Sequence, residues 1–447
     1  MKGETASVRE QWSSRSGFLL ATLGCAVGLG NIWRFAYVAG ENGGAAFLVI
    51  YAACVVLVGL PAMLAEFVLG ARSRSDVVAA FASVRGRRSW RWAGTLALFA
   101  AFLILSYYAV VAGWAYKYLY DYAAGSVAGL SEDTIGGRFD AFLAHPFEPV
   151  VWQALFLAST AVLVAAGVQR GIELASRLLM PLLAALVLVL AGYALSLPAA
   201  AKGLAFLFAP DWSALSRPQL YLDAIGQTFF SLGVGAGVLV TYASYSPGGQ
   251  RLSNAALAIA IGDTLFAIVA GIAIFPAVFA FGLDPAQGPA LAFVTLPKLF
   301  AVMPGGGWFA LAFFFLLSAA ALTSAVSVLE VPVAWLMRRG LSRRDATLWT
   351  STAAFAAGLP SALGGSLLAG LRPFGRDVLG TVDHFAADVL LPAAAIALLL
   401  YVGYALPRHE VRAASGLSRH LATAWLVSVR YAGPAALAAM LVWSLAA

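Results

Sequence analysis

Gly24-Cys25-Ala26-Val27-Gly28-Leu29-Gly30-Asn31-Ile32-Trp33-Arg34 lies in a run apolar enough to enter a bilayer, yet it holds three glycines in seven residues, then an asparagine and an arginine. Glycine disfavours a helix interior by about 1 kcal/mol relative to alanine. An arginine at bilayer depth costs roughly 2.5–3.5 kcal/mol on insertion scales. A plain membrane anchor carries neither. A helix that opens its backbone to hold something inside a protein carries both.

The same oddity recurs at Phe229-Phe230-Ser231-Leu232-Gly233-Val234-Gly235-Ala236-Gly237, with glycines on alternate residues and a hydroxyl beside them. Glycine is also common where membrane helices pack closely, and one such run would read that way. Two runs, each with polar residues, point instead to a pair of broken helices. Such a pair gives two half-helix C-termini to face a cation and two N-termini to face an anion.

The rest of the chain places these runs in a membrane protein. Of 447 residues, 62% are hydrophobic and 11% charged, against about 45–50% and about 25% in a soluble domain. Apolar runs near 17–37, 44–71, 92–122, 150–168, 174–197, 219–244, 254–282, 306–337, 345–364, 379–405 and 422–446 predict eleven spans. The two odd runs are spans 1 and 6. An odd offset reverses orientation, so spans 1–5 (17–197) and 6–10 (198–405) read as an inverted repeat. Residues 1–16 form a polar N-terminal segment, and 406–447 a loop and an eleventh span. The first apolar run continues into the Gly/Asn/Arg stretch, so no cleavable signal is read there.

With the N-terminus cytoplasmic, 20 Lys and Arg fall on the inner side and 7 on the outer, Arg34 being set aside. That asymmetry predicts N-inside and a periplasmic C-terminus. The net charge of +7 follows from those loops and does not indicate nucleic-acid binding. Cys25 and Cys54 both lie in apolar runs, which argues against a structural disulfide. The four histidines show no metal-ligand spacing, and no nucleophile–base pair marks an enzyme. Gly28-x-Gly30 has no third glycine, preceding strand or basic phosphate partner, so it makes a poor nucleotide site.

Several polar residues fall inside the spans. Asp263 is either a helix-end residue facing water or a ligand for a hard cation. Thr323-Ser324 either bond back to their own helical turn or face a site. Tyr107-Tyr108 either pack simply or belong to an interface belt. Arg34 and Asp383 fall on the same outer side, where an adjacent pair could open and close.

At these residues the chain resembles the neurotransmitter:sodium symporter family, especially its bacterial amino-acid transporters. The resemblance runs from Arg9-Glu10-Gln11-Trp12 to the tenth span. It is carried by Ala26-Val27-Gly28-Leu29-Gly30-Asn31-Ile32-Trp33-Arg34-Phe35 with Glu41-Asn42-Gly43-Gly44. Gly226-Gln227-Thr228-Phe229-Phe230-Ser231-Leu232, Thr241-Tyr242-Ala243-Ser244-Tyr245, Leu322-Thr323-Ser324 and Gly171-Ile172-Glu173 with Pro181 add to it. The fold it implies is an all-α membrane bundle of five-plus-five inverted repeats with helices 1 and 6 broken, an eleventh helix and no twelfth.

The resemblance also implies two sodium sites. The first takes Ala26, Asn31, Ser231, Asp263 and the substrate carboxylate. The second takes Gly24, Val27, Ala320, Thr323 and Ser324. The implied substrate pocket comprises Cys25, Ala26, Leu29, Gly30, Ile104, Tyr108, Phe230, Ser231, Gly233, Ala236, Ser324 and Val328. Tyr108 would bond the substrate carboxylate and Phe230 would form a lid. Arg34 and Asp383 resemble an outer gate, and Arg9 and Trp12 an inner one. The family pairs that inner arginine with an acid at the end of span 8, where this chain has Arg338. Animal members bind chloride with a serine where this chain has Ala267, so chloride is not expected. Monoamine carriers have an aspartate at Gly28, so an α-amino acid bringing its own carboxylate is expected, with a large hydrophobic or aromatic side chain.

The expectation is therefore a sodium-coupled amino-acid importer of a bacterial inner membrane, monomeric or weakly dimeric, working by alternating access. The alternative is a membrane amino-acid sensor that binds without transporting.

Overall fold

The computed structural model describes residues 10–84, 88–127, 130, 132–198, 200–246, 251–285 and 291–446. Each of the eleven apolar runs is helical, and no strand occurs among the described residues. Among the described residues eight helices are long and apolar enough to cross a membrane, and the bent pair Arg15–Ala26 and Gly30–Glu41 makes nine. The expected sixth span fails that test because it is divided, as Pro218–Leu232 and Val238–Ser244. The ninth, Arg343–Ala362, is too polar for it: Arg343, Arg344 and Asp345 open it, and threonines, serines, a glycine and a proline dilute its apolar residues.

The fifth helix differs most from its expected edges. It spans Val168–Leu195, beginning six residues before 174. Gln169, Arg170 and Glu173 make its first turns look polar. Those turns are fixed by Glu173, whose carboxylate accepts from the Ser13 amide and hydroxyl at 2.8 and 2.6 Å and pairs with Arg177.

The third helix (Arg88–Ala123) and the eighth (Gly306–Met337) are buried along most of their length, whereas the fourth, fifth and eleventh face outward. Glycine lets the third helix approach its neighbours. A Cβ on Gly113 would lie 2.8 Å from the Gln153 amide of the fourth. The two broken helices lie beside this third-and-eighth pair, and the site forms between them.

Candidate functional site between the two broken helices

The first helix ends at Ala26, and Val27 leaves helical geometry at φ −74°, ψ 101°. The chain then turns by 47° into Gly30–Glu41. Leaving the helix strips carbonyls near its end of their partners. Ser324 meets them: its hydroxyl lies 3.0 Å from the Cys25 carbonyl, 3.4 Å from that of Gly24 and 3.5 Å from that of Val27. Thr323 behaves differently and bonds back to Ala320 at 2.9 Å. Its Cβ still lies 3.4 Å from where a Cβ on Gly24 would stand. Gly24, Val27, Ala320, Thr323 and Ser324 are thus brought together as a patch of carbonyl and hydroxyl oxygens, a donor set suited to a hard cation.

A second polar cluster lies on the other side of the break. Asp263, inside Leu252–Ala280, is fully buried and far from a helix end facing water. Its carboxylate accepts from Asn31 Nδ2 at 2.7 Å, from Ser231 Oγ at 2.8 Å and from Tyr51 at 3.3 Å. Asn31 Oδ1 in turn accepts from the Gly28 amide at 3.1 Å. A buried carboxylate without a formal cation is costly, and among the described residues no Lys, Arg or His forms a salt bridge with Asp263. Asn31, Ser231 and Asp263 are thus brought together around one buried carboxylate, whose oxygens are of the kind a hard cation takes. Among the described residues no group of three His, Cys, Asp or Glu forms a site of the zinc kind.

A cavity of about 60 Å³ lies between the breaks, lined by Cys25, Ala26, Gly28, Gly30, Ile104, Tyr108, Phe230, Gly233, Ala236, Val238, Ser324, Val328 and Leu391. Leu29 and Ser231 are not in that wall. Leu29 donates its amide to Tyr108 at 3.4 Å, and Ser231 turns to Asp263. Gly28, Val238 and Leu391 join it without having been named as pocket residues. The lining carries no charged side chain. This volume holds only a few waters, so a larger ligand requires the walls to move. Phe230 is the nearest barrier: its ring lies 3.1 Å from where a Cβ on Gly30 would stand, and the Arg34 guanidinium sits 5.0 Å from its centroid.

The gates are placed unevenly. Arg34 donates to Gln227 at 3.1 Å. It forms no salt bridge with Asp383 among the described residues, although Asp383 and Asp388 lie within its electrostatic range. On the opposite side Trp12 is buried and donates to the Tyr242 carbonyl at 2.8 Å. Arg9 lies outside the described residues. The strong ion cluster at that end was not foreseen: Arg343 pairs with Glu10 at 2.5 Å and with the buried Glu330 at 2.7 Å, and Tyr245 donates to Glu330 at 2.6 Å.

Glu66 was also missed. It is buried and accepts from the Gly235 amide at 2.7 Å and the Val240 amide at 3.3 Å, filling the second break. The available signal was a lone carboxylate in the apolar run 44–71.

With this geometry in hand, comparison with known proteins is decisive. The model of the Sodium:neurotransmitter symporter family matches residues 9–128 and 147–447. The chain belongs to the sodium:neurotransmitter symporter family. This symporter is 36% identical over 432 residues to YhdH, a sodium-dependent transporter of Bacillus subtilis, covering 96% of each chain. It is 32% identical over 410 residues to a sodium-dependent transporter of Haemophilus influenzae, covering 89% of this chain and 90% of the other. The crystal structure of MhsT in complex with L-phenylalanine matches it with a TM-score of 0.92 at 46% identity, covering 98% of this chain and 100% of that one. The symporter is accordingly a multi-pass membrane transporter that depends on sodium, and not an enzyme.

Proposed function

We propose that the symporter imports large hydrophobic or aromatic L-amino acids with sodium, by alternating access across a bacterial inner membrane. The observation that carries this reading is the cavity between the breaks, which combines an uncharged wall with polar ends. Gly28 offers no side chain to pair an amine, and a Cβ there would lie 2.3 Å from Ser324 Oγ. An aspartate at this position would not fit as the site stands. The substrate therefore supplies the carboxylate, next to Asn31, Tyr108 and the Leu29 amide. Gly233 and Ala236 leave the wall beside the second break without a ring. Each buried CH₂ contributes about 0.8 kcal/mol, which favours a large apolar side chain. The likeness to MhsT, whose crystal structure holds L-phenylalanine, supports the same class.

Two sodium ions would bind, one at Ala26, Asn31, Ser231 and Asp263, the other at Gly24, Val27, Ala320, Thr323 and Ser324. Asp263 would bring the negative charge that a chloride ion otherwise supplies, since Ala267 cannot donate a hydrogen bond. The apolar runs support eleven crossings, and the Lys and Arg distribution supports an N-terminus inside. A thermal-shift screen of the purified symporter tests the substrate class. Tryptophan, tyrosine, phenylalanine and leucine should raise the melting temperature in sodium and not in choline. A larger shift with glycine or alanine would overturn the assignment.

A further inference from the structure

A second cavity, of about 470 Å³, opens at the far end of the eighth helix, between Arg74, Asp76, Tyr245, Met337, Arg338 and Arg343. Arg338 stands where the family resemblance calls for an acid. Its Nε lies 3.3 Å from Asp76 Oδ2, and its Nη1 donates to Ser75 Oγ. Asp76 is buried, and its other oxygen accepts from the Val78 and Ala79 amides at 3.1 and 3.2 Å, capping the short helix Val77–Phe81. Among the described residues Arg338 is the sole salt-bridge partner of Asp76. Arg343, the next cation, is taken up by Glu10 and Glu330.

The short helix is wedged between the break in the sixth helix and the third helix. A Cβ on Gly237 would lie 2.7 Å from Val77 Cγ2, and Gly237 is the residue from which Val238–Ser244 starts. On its other side a Cβ on Gly94, in the third helix, would lie 2.6 Å from the Val78 Cα. A continuous line of contact thus runs from the end of the eighth helix, through Arg338, Asp76 and Val77, to the break in the sixth.

We propose that Arg338 and Asp76 form a latch that holds the cytoplasmic side of the symporter shut, with the cation on the eighth helix and the acid on the loop after the second. Opening would part the two and draw Val77 away from Gly237. The proposal rests on the alternating-access reading above. Both are positioning residues, since neither touches the substrate cavity.

Cys25 lines that cavity and is buried, so its modification reports opening. The experiment uses a Cys54→Ser background in inside-out vesicles, without sodium or substrate. A membrane-impermeant methanethiosulfonate is applied from the cytoplasmic side, and folding of each variant is checked by its melting temperature. Arg338→Ala and Asp76→Asn should each speed Cys25 modification about two- to fivefold, the scale of a half-exposed ion pair. Asparagine keeps the helix cap, so the second change removes the charge alone. Arg338→Glu should be faster still, and Arg338→Lys should stay near the parent. The double change Arg338→Ala with Asp76→Asn should be no faster than the faster single, because both break one contact. Unchanged rates in all variants, or additive effects in the double, would overturn the latch. Sodium-driven uptake by the parent is measured in parallel. Its absence would overturn the transport reading instead, because thiol access does not depend on uptake.

Discussion

The two broken helices look alike in sequence and are built differently. In the second break Gly233, Gly235 and Gly237 all adopt positive φ, at 66°, 98° and 71°, a region that costs other L-residues roughly 1–2 kcal/mol each. In the first break Gly24, Gly28 and Gly30 do not. They are small because something stands against them: Met180 and Thr323, then Ser324 and Tyr108, then Phe230. The partners differ in sign as well. The first break presents carbonyls to the Ser324 hydroxyl, while the second presents amides to the Glu66 carboxylate. One break therefore turns carbonyl oxygens toward a neighbouring hydroxyl, and the other turns its amides onto a carboxylate of the protein itself. Sodium is expected to act on the first and leave the second as a fixed frame.

The sharpest way to break this comparison is to remove the charge beside the first break. Asp263→Asn keeps an oxygen but loses the carboxylate that Asn31, Ser231 and Tyr51 all address. The sodium concentration for half-maximal uptake should rise at least about tenfold, or roughly 1.4 kcal/mol, with partial rescue by chloride. An unchanged sodium dependence would take Asp263 out of the site. Next in size is Ala236→Phe, which fills the wall of the second break. Overpacking of this kind costs about 1–3 kcal/mol, so competition by tryptophan and phenylalanine should weaken more than that by alanine. An untouched ranking would refute the pocket.

A subtler pair separates the two uses of glycine. Asparagine tolerates positive φ, so Gly233→Asn should retain more thermal stability than Gly233→Ala wherever strain dominates. At Gly28 the order should reverse, because any larger side chain meets Ser324 sooner. Equal penalties at both positions would erase the distinction between the breaks. The smallest expected effect is none: replacing chloride by gluconate should leave uptake of the parent unchanged.

Much of this was legible in the chain. Glycine clusters beside Asn31 and Ser231 marked both breaks, because a helix rarely tolerates that composition without reason. Asp263 was visible as one acid in an apolar run and the family resemblance grouped it with Asn31 and Ser231, whereas Tyr51, its third partner, was not named. Glu66 carried the same signal and went unread, since its partners are backbone amides that leave no trace in side-chain pattern. Leu391 entered the cavity wall unseen because a lone leucine in an apolar helix has no face until the helix is packed. The cluster at the start of the ninth helix went unread because the two carboxylate partners of Arg343 lie 13 and 333 positions away. Sequence spacing cannot show such a pairing.

The central claim is that the space between the breaks moves an amino acid at the expense of a sodium gradient. The most direct measurement is uptake of radiolabelled L-phenylalanine into proteoliposomes holding the purified symporter, with sodium outside and potassium inside. The account predicts accumulation above the external concentration that collapses when the sodium gradient is dissipated. Binding of phenylalanine with no accumulation under that gradient would contradict it and leave a sensor in its place.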